Sequence, residues 1–225
     1  MKMKNQILAI TALVVAALLV GSACMSTASY HTAQPIAEGE TDIGVAVEMI
    51  KFTDEDMGFI VPHPRIYIRR GIDEQSDFGV TAGHFGIAGD FNFMFHSDDS
   101  GAASINPYVG LSTNQSFGAG GDDDDFFGPN FQTGISDEGD YLFLTVTPAF
   151  LYDLMVGDEM VLVLGGKPGI IHGRSGGFSS SQLMIGASVG MKFPMGSGHI
   201  LPEFNILKVE DTDGLIMTFG AAFGF

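Results

Sequence analysis

Six charged residues fall on the polar side of segments whose other side is apolar: Glu48, Arg65, Arg69, Asp90, Lys192 and Glu203. Tyr67, Asn92, Thr145, Thr147 and Asn205 share that side. Opposite charges enclosed together pair, because a dry, unpaired charge is costly. Two arrangements satisfy this, an interior packed with ion pairs or a narrow polar passage. A second constellation is His172-Gly-Arg-Ser175, a base and a hydroxyl close in sequence. A nucleophile also needs an acid to orient its base, and none lies nearby, so the chain is expected not to be an enzyme. The third is Asp122, Asp123, Asp124 and Asp125. Four consecutive carboxylates are either solvated or bridged by a divalent cation with oxygen ligands, and the Asp-x-Asp-x-Asp-Gly calcium loop is absent. No cofactor motif is present.

The elements that must hold these residues have a period of two. Strands are expected at Asp42–Phe52, Arg65–Gly71, Asp77–Gly83, Gly86–Phe95, Pro107–Gln115, Asp140–Tyr152, Glu159–Ile171, Gln182–Phe193, His199–Lys208 and Gly214–Phe225. Ile43, Val45, Val47 and Met49 set the apolar side of the first, and Leu183, Ile185, Val189 and Phe193 that of the eighth. The longest irregular stretch, Ser116–Gly139, contains the acidic run. The tight connection at His84-Phe85 decides whether the count is ten. No helix is expected after the first 23 residues.

The last strand carries the most specific signal. Leu215, Met217, Phe219, Ala221, Phe223 and Phe225 lie on one side, and Ile216, Thr218, Gly220, Ala222 and Gly224 on the other. Thr218-x-Gly220-x-x-Phe223-x-Phe225 resembles the C-terminal sorting signal of bacterial outer-membrane β-barrels. That resemblance implies an all-β chain folded as a single antiparallel transmembrane β-barrel. About ten such strands (eight to ten), each near the ~9–11 residues that span a bilayer at a tilt, fit it. It also implies the outer membrane of a Gram-negative bacterium, with membrane lipid, lipopolysaccharide and the barrel assembly machinery as partners. The Asp122–Asp125 loop would then face outward, where divalent cations could link it to lipopolysaccharide. His63, His84 and His172 would lie in outer loops and His199 at an inner turn. Three imidazoles on one rim could bind a transition metal, although their spacing does not point to one. Arg70 shares the lipid side at a strand end, where it can snorkel. The His172/Ser175 pair loosely resembles that of the lipid A deacylase barrels, with one residue more between them and Gly176 where those have Asn.

Residues 1–23 read as an export signal: Lys2 and Lys4, an apolar run from Ile7 to Val20, then Gly21-Ser22-Ala23. The sequence Leu19-Val20-Gly21-Ser22-Ala23-Cys24 resembles a lipoprotein cleavage box, with Gly21 in place of Leu, and implies acylation of Cys24. Ordinary cleavage after Ala23 or Ala28 is the alternative. Residues 24–40 are polar and aperiodic, as a tether would be, and the barrel is expected over 41–225. Removing residues 1–23 takes away two lysines and no acid, leaving 8 basic and 27 acidic residues, a net charge of −19. Such a surface repels nucleic acid and anionic membranes. The single Cys excludes a disulfide framework within the chain. Two functions therefore stay open: a structural or surface-interaction barrel, and a narrow channel for small solutes.

Overall fold

The computed structural model describes residues 28–53, 60–83, 86–113, 142–157, 159–175, 178–210, 212 and 214–225. These residues form ten strands: β1 (Thr41–Phe52), β2 (Ile60–Asp73), β3 (Ser76–Gly83), β4 (Gly86–Asp98), β5 (Gly101–Thr113), β6 (Leu142–Val156), β7 (Met160–Ser175), β8 (Phe178–Met195), β9 (Gly198–Val209) and β10 (Ile216–Gly224). Each pairs antiparallel with its sequence neighbours, and β1 pairs with β10 from Gly44↔Gly224 to Phe52↔Ile216, which closes the barrel. Closure leaves no strand edge unpaired, so the backbone is satisfied without water. The β3–β4 hairpin is real, since Gly83 pairs with Gly86 across His84-Phe85.

Several strands run further than the pattern suggested. Expected connections at 53–64, 96–106 and 172–181 are in good part strand, because β2 begins at Ile60, β4 and β5 run to Asp98 and from Gly101, and β7 ends at Ser175. Polar composition had argued for loops there, but residues at a barrel rim are solvated and can stay paired while polar. At one end of the barrel the turns are short, and Gly157 and Gly196 adopt φ of 70° and 62° in two of them. Such turns need left-handed backbone, which glycine adopts without strain.

The alternation sorts side chains cleanly. Ile43, Val47, Ile68, Phe91, Phe95, Val109, Leu144, Phe150, Ile185 and Phe219 are all exposed on the outer face. Glu48, Arg69, Asn92, Thr145 and Glu203 are buried inside. A soluble protein rarely exposes apolar surface on this scale, whereas a barrel in lipid requires it. A basic group on that face at the bilayer midplane would cost ~2–4 kcal/mol. Arg70, on the outer face, lies at the strand end and bonds Thr41 Oγ1 at 2.9 Å.

Candidate functional site: the filled lumen

Parity along the strands delivers the expected charges to the interior. Arg69 on β2 donates to Asp77 Oδ1 of β3 through Nε at 3.0 Å and Nη2 at 2.5 Å, and to Asp90 Oδ1 of β4 at 2.6 Å. Asn106 on β5 donates to the same Asp90 oxygen at 2.8 Å. On the opposite wall, Lys167 of β7 donates to Glu203 Oε1 at 2.9 Å and Asn205 Oδ1 at 2.6 Å, both on β9. Glu48 on β1 is fully buried beside its cross-strand partner His63 on β2. Arg65 meets the Tyr108 hydroxyl, and Lys192 lies near Asp153 at the short-turn end. Of the six expected lumen charges, Glu48, Arg69 and Glu203 are buried, and Arg65, Asp90 and Lys192 are partly buried. Asp77, Asp153 and Lys167 were missed, although parity alone placed Asp77 opposite Phe78 and Val80.

The segment read as a tether runs inside the barrel from Ala28 to Ile36. It leaves β1 beside the β2–β3 turn, where the Gly39 N–H donates to the Gly71 carbonyl at 3.1 Å. From there its main chain climbs a ladder of wall carboxylates. Ile36 N–H donates to Asp77 Oδ2 at 3.0 Å. Ala33 and Gln34 N–H donate to the two oxygens of Asp153 at 2.9 and 3.0 Å. Ser29 and Tyr30 N–H donate to the two oxygens of Glu203 at 3.1 and 2.8 Å. Asn92 returns the favour in the other direction, donating to the carbonyls of Thr32 and Ala33. Tyr30 has a φ of 49°, and its hydroxyl rests where a side chain at Gly220 would stand. Paired N–H groups around one carboxylate form the anion-holding concavity that backbone turns commonly make. A barrel of about eight strands is filled by its own side chains. Ten strands leave space for one extra chain, and this tail takes it.

Above the tail the interior turns apolar. Ile171, Met184, Leu207 and Val209 form a buried cluster, with Phe143 and Ile216 packed on it. Beside Ala28 and Ser29 of the tail lies a cavity of about 20 Å³, lined also by Asn106, Tyr108, Thr145, Thr147, Ala149 and Lys167. This is room for one water, given that ~10–15 Å³ is needed.

The remaining predicted residues are placed as follows. Thr218 and Gly220 face inward, while Phe223 and Phe225 face outward at 38% and 64% exposure. His63 is not in an outer loop but in β2, buried, because that strand begins earlier than expected. His199 is in β9 rather than a turn, 3.8 Å from Asp42. His172 is in β7 and meets Ser181 Oγ of β8 at 2.8 Å, its cross-strand partner, rather than Ser175. Strand geometry sends Ser175 and His172 to opposite sides, since they are an odd number of residues apart. Among the described residues no carboxylate is bonded to His172, and no group of three His, Cys, Asp or Glu could hold a metal. Cys24, His84 and Asp122, Asp123, Asp124 and Asp125 lie outside the described residues.

No protein-family model and no curated protein matches the chain. Among solved structures it is similar to Neisserial surface protein A, at 10% identity over 82% of this chain and 95% of that one, with a TM-score of 0.42. It is also similar to Ail, the attachment invasion locus protein of Yersinia pestis, at 16% identity over 84% and 99%, with a TM-score of 0.34. The structure of Ail in a phospholipid bilayer nanodisc gives 17% identity over 83% and 100%, with a TM-score of 0.35. The barrel assignment rests on the strand pairing of this chain itself.

Proposed function

We propose that the chain is a closed, non-enzymatic β-barrel of the Gram-negative outer membrane, which presents its outer loops as a structural or interaction surface. The apolar outer face supports membrane residence, and membrane lipid and lipopolysaccharide are its surroundings. The observation that carries the closed state is the filled lumen. The tail occupies the lumen on Asp77, Asp153 and Glu203, and Ile171, Met184, Leu207 and Val209 add a packed apolar cluster to the interior. The acidic run Asp122–Asp125, in the long segment between β5 and β6, gives that surface its charge. Thr218, Gly220, Phe223 and Phe225 address the barrel to the assembly machinery.

Planar-bilayer recording of the purified full chain tests this. The expected result is no steady conductance at any holding potential the bilayer withstands. Reproducible single-channel steps from the wild-type protein would instead establish the narrow channel.

A further inference from the structure

The rim of the barrel at the end opposite the short turns is uneven. β3 stops at Gly83, opposite Arg65, so residues 60–64 of β2 are paired with β1 alone. β9 stops at Val209, opposite Met184, while β8 reaches up to Phe178 and is paired there with β7 alone. Both stretches have one open edge among the described residues. Such an edge offers unpaired N–H and C=O groups to any other chain, and proteins commonly blunt it with proline.

The two edges are treated differently. Gly71 turns its N–H and C=O toward β1, donating to the Glu40 carbonyl and accepting from the Gly39 N–H. Alternation along β2 therefore turns the even-numbered residues toward β3. Where β3 has ended, two of these are Pro62 and Pro64, which have no N–H to leave unpaired. On β8 the marker is Leu183. Its C=O accepts from the Glu210 N–H at 2.8 Å, and its N–H donates to Glu210 Oε2 at 3.2 Å, both on the β9 side. The β7–β8 register has no shift between Val161 and Ser175, so alternation turns Ser181 and Ser179 the same way. Past Glu210 the chain turns back, with the Thr212 N–H on the Val209 carbonyl. No proline stands at 179 or 181, and Ser179, Ser180 and Ser181 are all exposed.

We propose that residues 179–182 of β8 accept an extended segment of a partner protein as an added strand, which sets a basic side chain at Glu210. This rests on the reading of the barrel as an interaction surface and says where that surface is. Main-chain bonds to Ser179 and Ser181 supply the pairing, and the small side chains leave the edge clear. Glu210 is exposed at the foot of the edge, and its Oε1 has no bond among the described residues. Of the neighbouring cations, Lys208 is engaged with the carbonyls of Thr212 and Gly214. Arg174 lies on β7, two strand spacings (~10 Å) from the added strand. A chain with 27 acidic and 10 basic residues also draws cations toward it. A second copy does not fit the edge. Across a two-fold axis along the bilayer normal, equivalent strands tilted by ~35–45° cross at ~70–90°, and no ladder forms at that angle.

The probe is a fluorescent hexapeptide of alternating lysine and threonine, added to the full chain in lipid nanodiscs. In the free protein the amide hydrogens of Ser179 and Ser181 should exchange on the order of a hundredfold faster than those of Ser180 and Gln182, which face β7. Millimolar peptide should slow Ser179 and Ser181 on the order of tenfold and leave the other strand amides unchanged. Ser179→Pro with Ser181→Pro, checked for folding by heat-modifiable migration, should abolish the change in peptide anisotropy. Ser179→Ala with Ser181→Ala should keep it. The same peptide N-methylated throughout should not bind the wild type, a test that needs no variant to fold. Equal exchange at all four amides, no slowing by the peptide, or binding that survives N-methylation overturns the proposal. Equal binding of a glutamate–threonine hexapeptide overturns the basic partner. Channel steps from the wild type would overturn the closed barrel and leave these results standing.

Discussion

Lys167 is the cation on which the middle of the lumen depends. It is 2% exposed and bonds Glu203 and Asn205. Removing one member of a buried ion pair costs ~3–5 kcal/mol, because the other charge stays behind. Lys167→Met is therefore expected to lower the unfolding free energy of the detergent-refolded barrel by that much, read as a fall in its urea midpoint. Lys167→Met with Glu203→Gln, whose amide oxygen can still accept from the tail, should recover part of the loss, and no recovery in that double variant would show that the pair is not the source. Gly220 tests a different contact. A Cβ there would meet the Tyr30 hydroxyl and stand 2.6 Å from the Val47 carbonyl. Overpacking of this kind costs ~1–3 kcal/mol. Gly220→Ala is expected to destabilise by that amount, and Tyr30→Ala in the same chain to restore only the share due to the tail. The result separates a seat for the tail from a role in assembly alone.

At the scale of the strand, β10 joins two jobs that differ in time. Phe225 N–H and C=O exchange bonds with Ile43 at 3.0 and 3.4 Å, so the last residue is tied to the closing seam through its backbone. Its ring lies outside, in the expected lipid. Phe225→Ala thus keeps the seam bonds and loses only ~1–3 kcal/mol of burial. In cells the folded, heat-modifiable fraction should fall much further, because a terminal aromatic can dock on an assembly machine's strand edge. Equal effects in cells and in detergent would reduce the terminal motif to an ordinary strand. Strands such as β10 were legible because lipid outside and polar packing inside impose alternation on every residue. Thus Phe219 and Thr218 announce their sides without any structure. The partners of the charges were less legible. Arg69 meets Asp77 and Asp90, and Lys167 meets Glu203, across walls whose register no single strand reveals. His63 was misplaced because Pro62 and Pro64 read as a loop, whereas at a barrel rim they sit within β2.

For the whole molecule, the short turns and the tail's entry share one end, and β5 ends and β6 begins at the other. An epitope inserted after Gly121 is expected to be labelled on intact cells. Labelling only after permeabilisation would turn the barrel over, and with it the side from which the tail enters.

The tail is bound by its main chain, and that governs which mutations it can absorb. Wall carboxylates take the N–H groups of residues 29, 30, 33, 34 and 36, bonds that do not depend on the side chains these residues carry, although Tyr30 and Ala33 are also packed. Pro35 occupies the gap in that series, where no N–H is used. Side-chain changes at Gln34 and Ile36 should be close to silent, whereas Ala33, fully buried against Ala102 and Leu151, tolerates no larger side chain, and proline at 33, 34 or 36 should be as damaging as losing a carboxylate from the wall. What holds such a segment is where nitrogen carries hydrogen more than which side chains follow. Main-chain bonds leave nothing periodic for a reader of sequence to find, and a stretch held this way has the texture of a linker even when it is the centre of the molecule.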